Sequence, residues 1–344
     1  MKKNLLAICL LFSIVALAQE AKRINIFNGI ALKFGANTEQ LTDTYDKFIG
    51  EWMDTQNNWL AQSYIDVKTK TYKLNVSKTP YANANPFTVL NATVTGEIIS
   101  YANAEGYKAS FDKGTLHITG PDGFKFNGKA TNRISPTLNA LPPKGAEVIF
   151  DGTNLKALGG FQAYKEWFNW DIEASETVKL SPDGSFRILP GKQSVITKKV
   201  YGDIKHLHIE FRLLGEPTNG GVYMQSRYEF NIKDSWGQGE GSVCTAFGNV
   251  VGYKEPKVNY ALPPMVWQTM DIEYTAARFD ENGEKIANAR TTVYFNGELI
   301  YKDAELDVTR GAGGGKQPLG PTGPVYFQEH GTSYDFRNVW IVEK

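Results

Sequence analysis

The 344-residue chain has little cysteine, no charge imbalance and no long apolar stretch, and each shortage excludes a class of protein. Its two cysteines are Cys9 and Cys244. Cys9 lies in a segment expected to be removed, which leaves Cys244 without an intrachain partner, so a disulfide-stapled scaffold is excluded. Nothing around Cys244 resembles a papain-like or caspase-like nucleophile. Lys plus Arg and Asp plus Glu both number 37, so the basic excess of a nucleic-acid binder is missing and no nucleic-acid partner is expected. The apolar run from Leu5 to Ala18 is shorter than the roughly 20 residues needed to cross a bilayer, and no membrane span is expected. Neither G-x-S-x-G nor H-E-x-x-H occurs, which leaves the common serine-hydrolase and zincin routes without support.

That apolar run has Lys2 and Lys3 before it and ends in Ala16-Leu17-Ala18, the pattern of a secretory signal cleaved after Ala18. Residues 1–18 are therefore read as a signal peptide. The mature protein is expected outside the cytoplasm, in the periplasm, at the cell surface or in the medium. Cys9 sits inside the run behind bulky Ile8, which is not a lipoprotein context.

Present in quantity are aromatic residues, 12% of the chain, and 33 glycines. The mixture suits strands joined by tight turns, and it suits surfaces that stack on sugar rings as well as ordinary sandwich cores. From Ala21 to about Ala140 short alternating runs such as Thr71–Val76, with turn signals at Pro121-Asp122-Gly123 and Asn127-Gly128, predict a small antiparallel β domain over residues 19–140. Leu41, Tyr45, Phe48 and Ile49 recur at helical spacing, predicting one short helix between Thr38 and Trp52. The prolines of Ser135–Gly145 predict an extended connector. Beyond it, over residues 141–344, nearly every apolar run is strand-like: Ala146–Phe150, Ser185–Leu189, Leu207–Leu213, Val222–Ile232, Thr269–Tyr274, Thr291–Phe295, Val325–Phe327 and Tyr334–Val342. No long helical stretch separates them, so an antiparallel sandwich is expected rather than a parallel sheet. Thr309–Gly323 reads as a surface loop, and its Gly311–Gly315 lacks the strand-then-helix context of a phosphate cradle.

Two runs carry candidate chemistry. In Lys205–Leu213 the side chains of His206, His208, Glu210 and Arg212 share the face opposite Leu207, Ile209, Phe211 and Leu213. Read as one strand, Val222–Ile232 sets Tyr223, Gln225, Arg227, Glu229 and Asn231 on one face, followed by Asp234. Were both runs in one sheet, their outer faces would pool into one patch of planar hydrogen-bonding groups suited to sugar hydroxyls. A solvated face with cross-strand ion pairs is the alternative. His206 and His208, about 7 Å apart along a strand, are half of a divalent-metal site whose third ligand must come from another strand, since Glu210 lies about 13 Å from His206. Hydrogen-bonded structural histidines are the alternative there. Near the C-terminus Tyr326, Gln328 and His330 share a face, and His330, beside the Gly331 turn, suits general acid–base work.

The segments FDGTNLKALGGF, NGGVYMQSRYEFNIKDSWG, PPMVWQTMDIEYTAARFDENGEKIANARTTVYFNGELIYKDAEL and GPTGPVYFQEHGTSYDFRNVWI resemble the 3-keto-disaccharide hydrolase family over about Glu147–Lys344. The resemblance implies an all-β chain, a concanavalin A-like jelly-roll β-sandwich with a smaller N-terminal β domain. It also implies an exported enzyme cleaving 3-keto-glycosides, a carbohydrate substrate. The C3 ketone acidifies the C2 proton, a base removes it, and the enolate expels the C1 substituent before water adds. On that reading Glu229 or His330 is the base. Arg227, or a cation held by His206 and His208, meets the oxyanion. Gln225, Asn231, Asp234, Gln328, Arg337 and Tyr223 hold substrate. No cofactor is certain, and a divalent metal ion is the one candidate. Relatives reading NSG, DHG and a tyrosine near the cysteine differ from the Asn219-Gly220-Gly221, Glu329-His330-Gly331 and Phe247 of this chain. A non-catalytic, lectin-like sugar-binding module on the same fold is the competing function.

Overall fold

The computed structural model describes residues 48–66, 69–80, 82–83, 86–161, 172–214, 219–237, 258–306 and 320–344. The signal segment, residues 38–47 of the expected helix, Cys244, Phe247 and residues 309–319 of the glycine-rich loop lie outside them. Among the described residues the helical elements are two single 3₁₀ turns, Pro121–Gly123 and Ala174–Glu176. Where a helix was expected to end, Gly50–Asp54 is a strand. The chain divides into two compact units. Of the described residues, one unit holds those up to 80 and 86–131; the other holds 82–83 and those from Asn132 onward.

The first unit is a closed barrel of eight antiparallel strands, Gly50–Asp54, Trp59–Ile65, Tyr72–Ser77, Thr88–Thr95, Ile98–Ala102, Lys108–Asp112, Thr115–Thr119 and Lys125–Thr131. Each pairs with its neighbour in sequence, and the last closes on the first. Period-two alternation decides what lies inside, and Trp52, Leu74, Val76, Leu90, Tyr101, Leu116, Ile118 and Phe126 form its core. The Pro121-Asp122-Gly123 turn is present, with Asp122 and Gly123 at positive φ. Asn127-Gly128 is no turn: both residues lie within the strand Lys125–Thr131. A Cβ at Gly128 would collide with the Phe126 ring and with the Trp52 Cβ, so this glycine serves interior packing.

The second unit is a two-sheet sandwich. The large sheet runs in the order Val178–Leu180, Phe186–Ile188, Tyr334–Glu343, Ile204–Leu213, Trp267–Thr275, Ala289–Phe295 and Glu298–Leu306, with Glu147–Phe150 also paired to Tyr334–Glu343. The small sheet runs Leu158–Phe161, Ser194–Thr197, Tyr326–Phe327, Asn219–Met224 and Tyr228–Lys233. Leu207, Ile209, Phe211, Met270, Ile272, Phe336 and Ile341 from the first sheet meet Val195, Val222, Met224, Phe230, Ile232 and Phe327 from the second in one core. Burying such side chains contributes about 1.5–3 kcal/mol each. This is the all-β jelly-roll sandwich the sequence predicts.

Two expectations change. Val222–Ile232 is a hairpin, turning at Gln225 and Ser226, whose φ values are 54° and 52°. Gln and Ser are not the residues that ordinarily supply two consecutive positive φ angles. The turn is fixed from outside instead. Ser226 is fully buried and its N–H donates to the carbonyl of Pro324 (2.9 Å), while Gly323 packs on Gln225 so closely that a Cβ there would lie 2.8 Å from the Gln225 Cα. The second change is that Ile204–Leu213 and this hairpin belong to different sheets. Each turns its apolar side chains to the shared core, so their polar faces look away from each other across the sandwich and form no common patch.

Candidate functional site

On the outer face of the small sheet the register places Tyr223 opposite both Glu229 and Tyr326, and Asn231 opposite Gly221. Phe161, Ile196, Tyr223 and Tyr326 form an apolar cluster separate from the sandwich core. Tyr326 stands edge-on to Phe161 at 4.9 Å and to Tyr223 at 5.0 Å between ring centroids. This aromatic floor is edged by polar groups. The Gln328 side-chain amide donates to the Tyr223 hydroxyl (2.9 Å), and the Ser194 and Tyr326 hydroxyls share a hydrogen bond of 2.8 Å. Asn231 Nδ2 lies 3.3 Å from Glu229 Oε1 and 3.5 Å from Asn219 Oδ1, and Asn219 Nδ2 lies 3.1 Å from Nδ1 of exposed His330. Gly221 makes the room: a Cβ there would sit 2.8 Å from Glu229 Oε1 and 3.1 Å from the Tyr223 ring.

Burial pushes the Glu229 carboxyl above its ordinary value, and the hydrogen bonds from Tyr223 and Asn231 and the nearby His330 only partly offset it. The Tyr223 phenol is pushed far up by burial and by the Glu229 charge, so it stays protonated. Burial likewise lifts Tyr326, to about 12. The face therefore holds a carboxyl tuned toward neutrality, an imidazole at its margin, two phenols and a set of carboxamides. That is the equipment for removing a proton from a polar, ring-shaped substrate.

Of the residues proposed from sequence, Tyr223, Glu229, Asn231, Gln328 and His330 meet here. The others do not. Gln225 leaves the face with the hairpin turn. It accepts from the hydroxyl of core residue Tyr274 (2.9 Å) and donates to the carbonyls of Tyr201 (3.3 Å) and Pro321 (2.9 Å). Arg227 ends the same turn, buried near Tyr228 and Tyr274, and burial lowers its pKa. It does not lie on the strand face from which it was expected to meet an oxyanion. Asp234 caps the turn beyond the strand through Trp236 N–H (3.0 Å).

His206, His208 and Arg337 lie on the outer face of the large sheet. There Asp271 Oδ1 accepts from His206 Nε2 (2.8 Å) and His208 Nδ1 (2.7 Å), and Asp271 Oδ2 accepts from the Thr137 hydroxyl (2.7 Å). His208 stacks on Trp340 at 5.0 Å. Glu210 accepts from Arg337 Nε (2.7 Å), Asn338 Nδ2 (2.9 Å) and the backbone N–H of Asn139 (2.5 Å). The connector is thus laid along this face, with Ala140 O receiving Asn338 Nδ2 (3.0 Å) and Trp340 Nε1 (3.3 Å). Asp271 is the third ligand that the metal reading required. The donor atoms of His206, His208 and Asp271 lie within 4.8 Å of one another and could hold a divalent ion. Both sheets and the core separate them from Glu229, so a cation there cannot meet an oxyanion formed on the small-sheet face.

Asn219, Tyr326, Ser194 and Phe161 complete the site beyond the residues assigned to it from sequence. Tyr326 already shares the strand phase of Gln328. Asn219 carries only the signal of a polar residue before Gly220-Gly221, and Ser194 and Phe161 carry none.

The class defined by this arrangement is a jelly-roll sandwich with a polar, aromatic-floored face on its smaller sheet. Residues 145–342 match the family described as the 3-keto-alpha-glucoside-1,2-lyase-like domain, over half of the chain, and the protein belongs to that carbohydrate-acting family. Solved structures from Parabacteroides distasonis ATCC 8503, named "putative glycosyl hydrolase", are similar. One is 28% identical over 59% of this chain and 85% of its own, with a TM-score of 0.45. Another is 15% identical over 58% of this chain and 94% of its own, with a TM-score of 0.42. No curated protein matches the chain.

Proposed function

We propose that the protein is an exported enzyme, periplasmic or extracellular, that cleaves 3-keto-glycosides on the outer face of the small sheet. The observation that carries this reading is the half-buried Glu229 carboxyl, raised above its ordinary range and linked through Asn231 and Asn219 to His330. Ordinary glycoside hydrolysis calls for two carboxyl groups flanking the bond. This face pairs the Glu229 carboxyl with the His330 imidazole, which fits proton abstraction beside a ketone.

Glu229 takes the C2 proton, and the C–H electron pair moves into a C2–C3 enolate whose oxygen His330 meets as a hydrogen-bond donor. The enolate then re-forms the ketone, a C1–C2 double bond appears, and the C1–O bond breaks. Glu229 returns the proton to the departing aglycone oxygen, and water adds to the unsaturated ketone. The Tyr223 and Tyr326 rings and the amide of Gln328 supply the apolar and polar surfaces that hold the sugar, and Asn231 orients Glu229 beside them.

The test is aglycone release from a chromogenic 3-keto-glucoside beside its unoxidised parent. Release from the keto compound alone is expected. Release from both would replace elimination by direct hydrolysis, and binding without release from either would favour a sugar-binding module.

A further inference from the structure

The hydrogen bonds between Glu229 and His330 have a direction. A carboxylate oxygen only accepts, so the Asn231 atom facing Glu229 Oε1 at 3.3 Å is its donating Nδ2. The same Nδ2 has a second hydrogen for Asn219 Oδ1 at 3.5 Å. Both Asn231 donors are then used, and its Oδ1 is left buried without a partner. Rotating the Asn231 amide by half a turn would set that oxygen against two other acceptors, Glu229 Oε1 and Asn219 Oδ1, and give it no donor. With Oδ1 of Asn219 committed to Asn231, its Nδ2 faces His330 Nδ1 at 3.1 Å and donates to it. An imidazole nitrogen that accepts carries no proton, so neutral His330 must carry its proton on Nε2.

We propose that Asn231 and Asn219 are positioning residues, a one-way relay of donors by which ionised Glu229 holds His330 in its Nε2–H tautomer. The inference rests on the proposed reaction for its catalytic meaning, while the tautomer belongs to the free protein. It divides the labour between the two groups. Glu229 is the base, and His330 is a donor that works in its neutral form and keeps its proton, as neutral imidazoles do at other enolate-forming sites. The donor function then survives alkaline pH, and only the ionisation of Glu229 limits the rate, from the acid side.

The experiment combines nitrogen-15 NMR of the histidine rings with pH–rate profiles, for the full chain and for Asn219→Asp. The chain has four histidines, and a His330→Gln sample identifies the resonance. With its ring neutral, His330 in the unsubstituted protein is expected to show a bare Nδ1 and a protonated Nε2. In Asn219→Asp an acceptor replaces the donor, so the neutral ring is expected to move its proton to Nδ1. Only the imidazolium of that variant can donate from Nε2. Its kcat should acquire an alkaline limb absent from the parent and fall there by about 10²-fold or more with KM little changed, within the usual range for acid–base groups. Asn219→Ala, which adds no charge, should lower kcat without creating that limb.

A proton on Nδ1 in the unsubstituted protein, or an unchanged tautomer in Asn219→Asp, overturns the relay. If no 3-keto-glycoside is cleaved by either protein, the proposed reaction fails, and the ring spectra still decide the relay.

Discussion

Glu229 and Glu210 are both buried or half-buried glutamates on the outer face of a sandwich sheet, each with a histidine nearby, and their surroundings give them opposite characters. Glu210 accepts from the Arg337 guanidinium, the Asn338 amide and the Asn139 backbone N–H. Burial alone would raise its pKa, but His208, Asn338 and Arg337 together hold it below the ordinary carboxylate value. Glu229 has amide and phenol neighbours and no arginine among the groups that shift it, so burial wins and its pKa rises. Full compensation makes a charged group a structural clamp; partial compensation leaves one ready to take a proton. The large-sheet face belongs to the first kind throughout. Asp335, fully buried, accepts from Arg187 (2.6 Å) and Arg212 (3.0 Å), and both Arg212 and Arg337 lie over the Trp267 ring.

The contrast breaks most visibly under matched substitutions. Glu229→Gln removes the base while keeping the shape, so kcat on a 3-keto-glycoside is expected to fall by about 10²–10⁴-fold with the unfolding midpoint almost unchanged. Glu210→Gln should do the reverse. It leaves Arg337 without its counter-charge and costs about 3 kcal/mol in denaturant unfolding, with kcat within a factor of about two. Equal loss of activity in both proteins would erase the distinction drawn between the faces.

Acidity separates the faces more gently. Activity requires ionised Glu229, so kcat should rise through a pKa above the ordinary 4.5 for glutamate and then level off. Stability follows the other face. Burial opposes the charge on His208, but Asp271 and Glu210 outweigh it and raise its pKa above 6.5. A raised histidine stabilises fully below that ordinary value, and its contribution is lost as pH climbs through the folded value. Asp271 is held well below 3.8, against burial, by His206, His208 and Thr137. Its contribution is present above 3.8 and disappears as pH falls through the lower folded value. The pair therefore stabilises most between about pH 4 and 6.5, and urea unfolding should show stability declining on the alkaline side. His208→Asn should remove that decline.

Alternation was enough to predict the core faces, since a period of two decides which side chains a strand buries. The phases of Leu207, Ile209 and Phe211, and of Val222 and Phe230, are those observed. Alternation says nothing about which sheet a strand joins, and that is where the expected common patch dissolved. The hairpin in Val222–Ile232 was hidden because its turn residues Gln225 and Ser226 carry no turn signal, their conformation being imposed by Gly323 and Pro324 about a hundred residues later. The turn spans the three residues Gln225–Arg227, an odd number, so the alternation resumes in step on the returning strand. That is why Tyr223, Glu229 and Asn231 were grouped correctly while Gln225 and Arg227 were grouped with them in error. Short strands such as Leu158–Phe161, with two glycines in four residues, escaped because too few side chains remain to show a period.

The smallest expected effect concerns His206, the partly exposed member of the cluster that could hold a cation. His206→Ala leaves Asp271 bonded to His208 Nδ1 and to the Thr137 hydroxyl, so the carboxylate keeps two of these three donors. A hydrogen bond with one partner this open to solvent contributes little, and the stability loss should stay below about 1 kcal/mol. Turnover should be unchanged, both in His206→Ala and in the parent protein treated with a chelator, because the core lies between this cluster and Glu229. If chelation lowers turnover and His206→Ala lowers it equally, the large-sheet face takes part in the chemistry and the division between the two faces fails. If chelation lowers turnover and His206→Ala does not, the ion acts elsewhere, and the division between the faces stands.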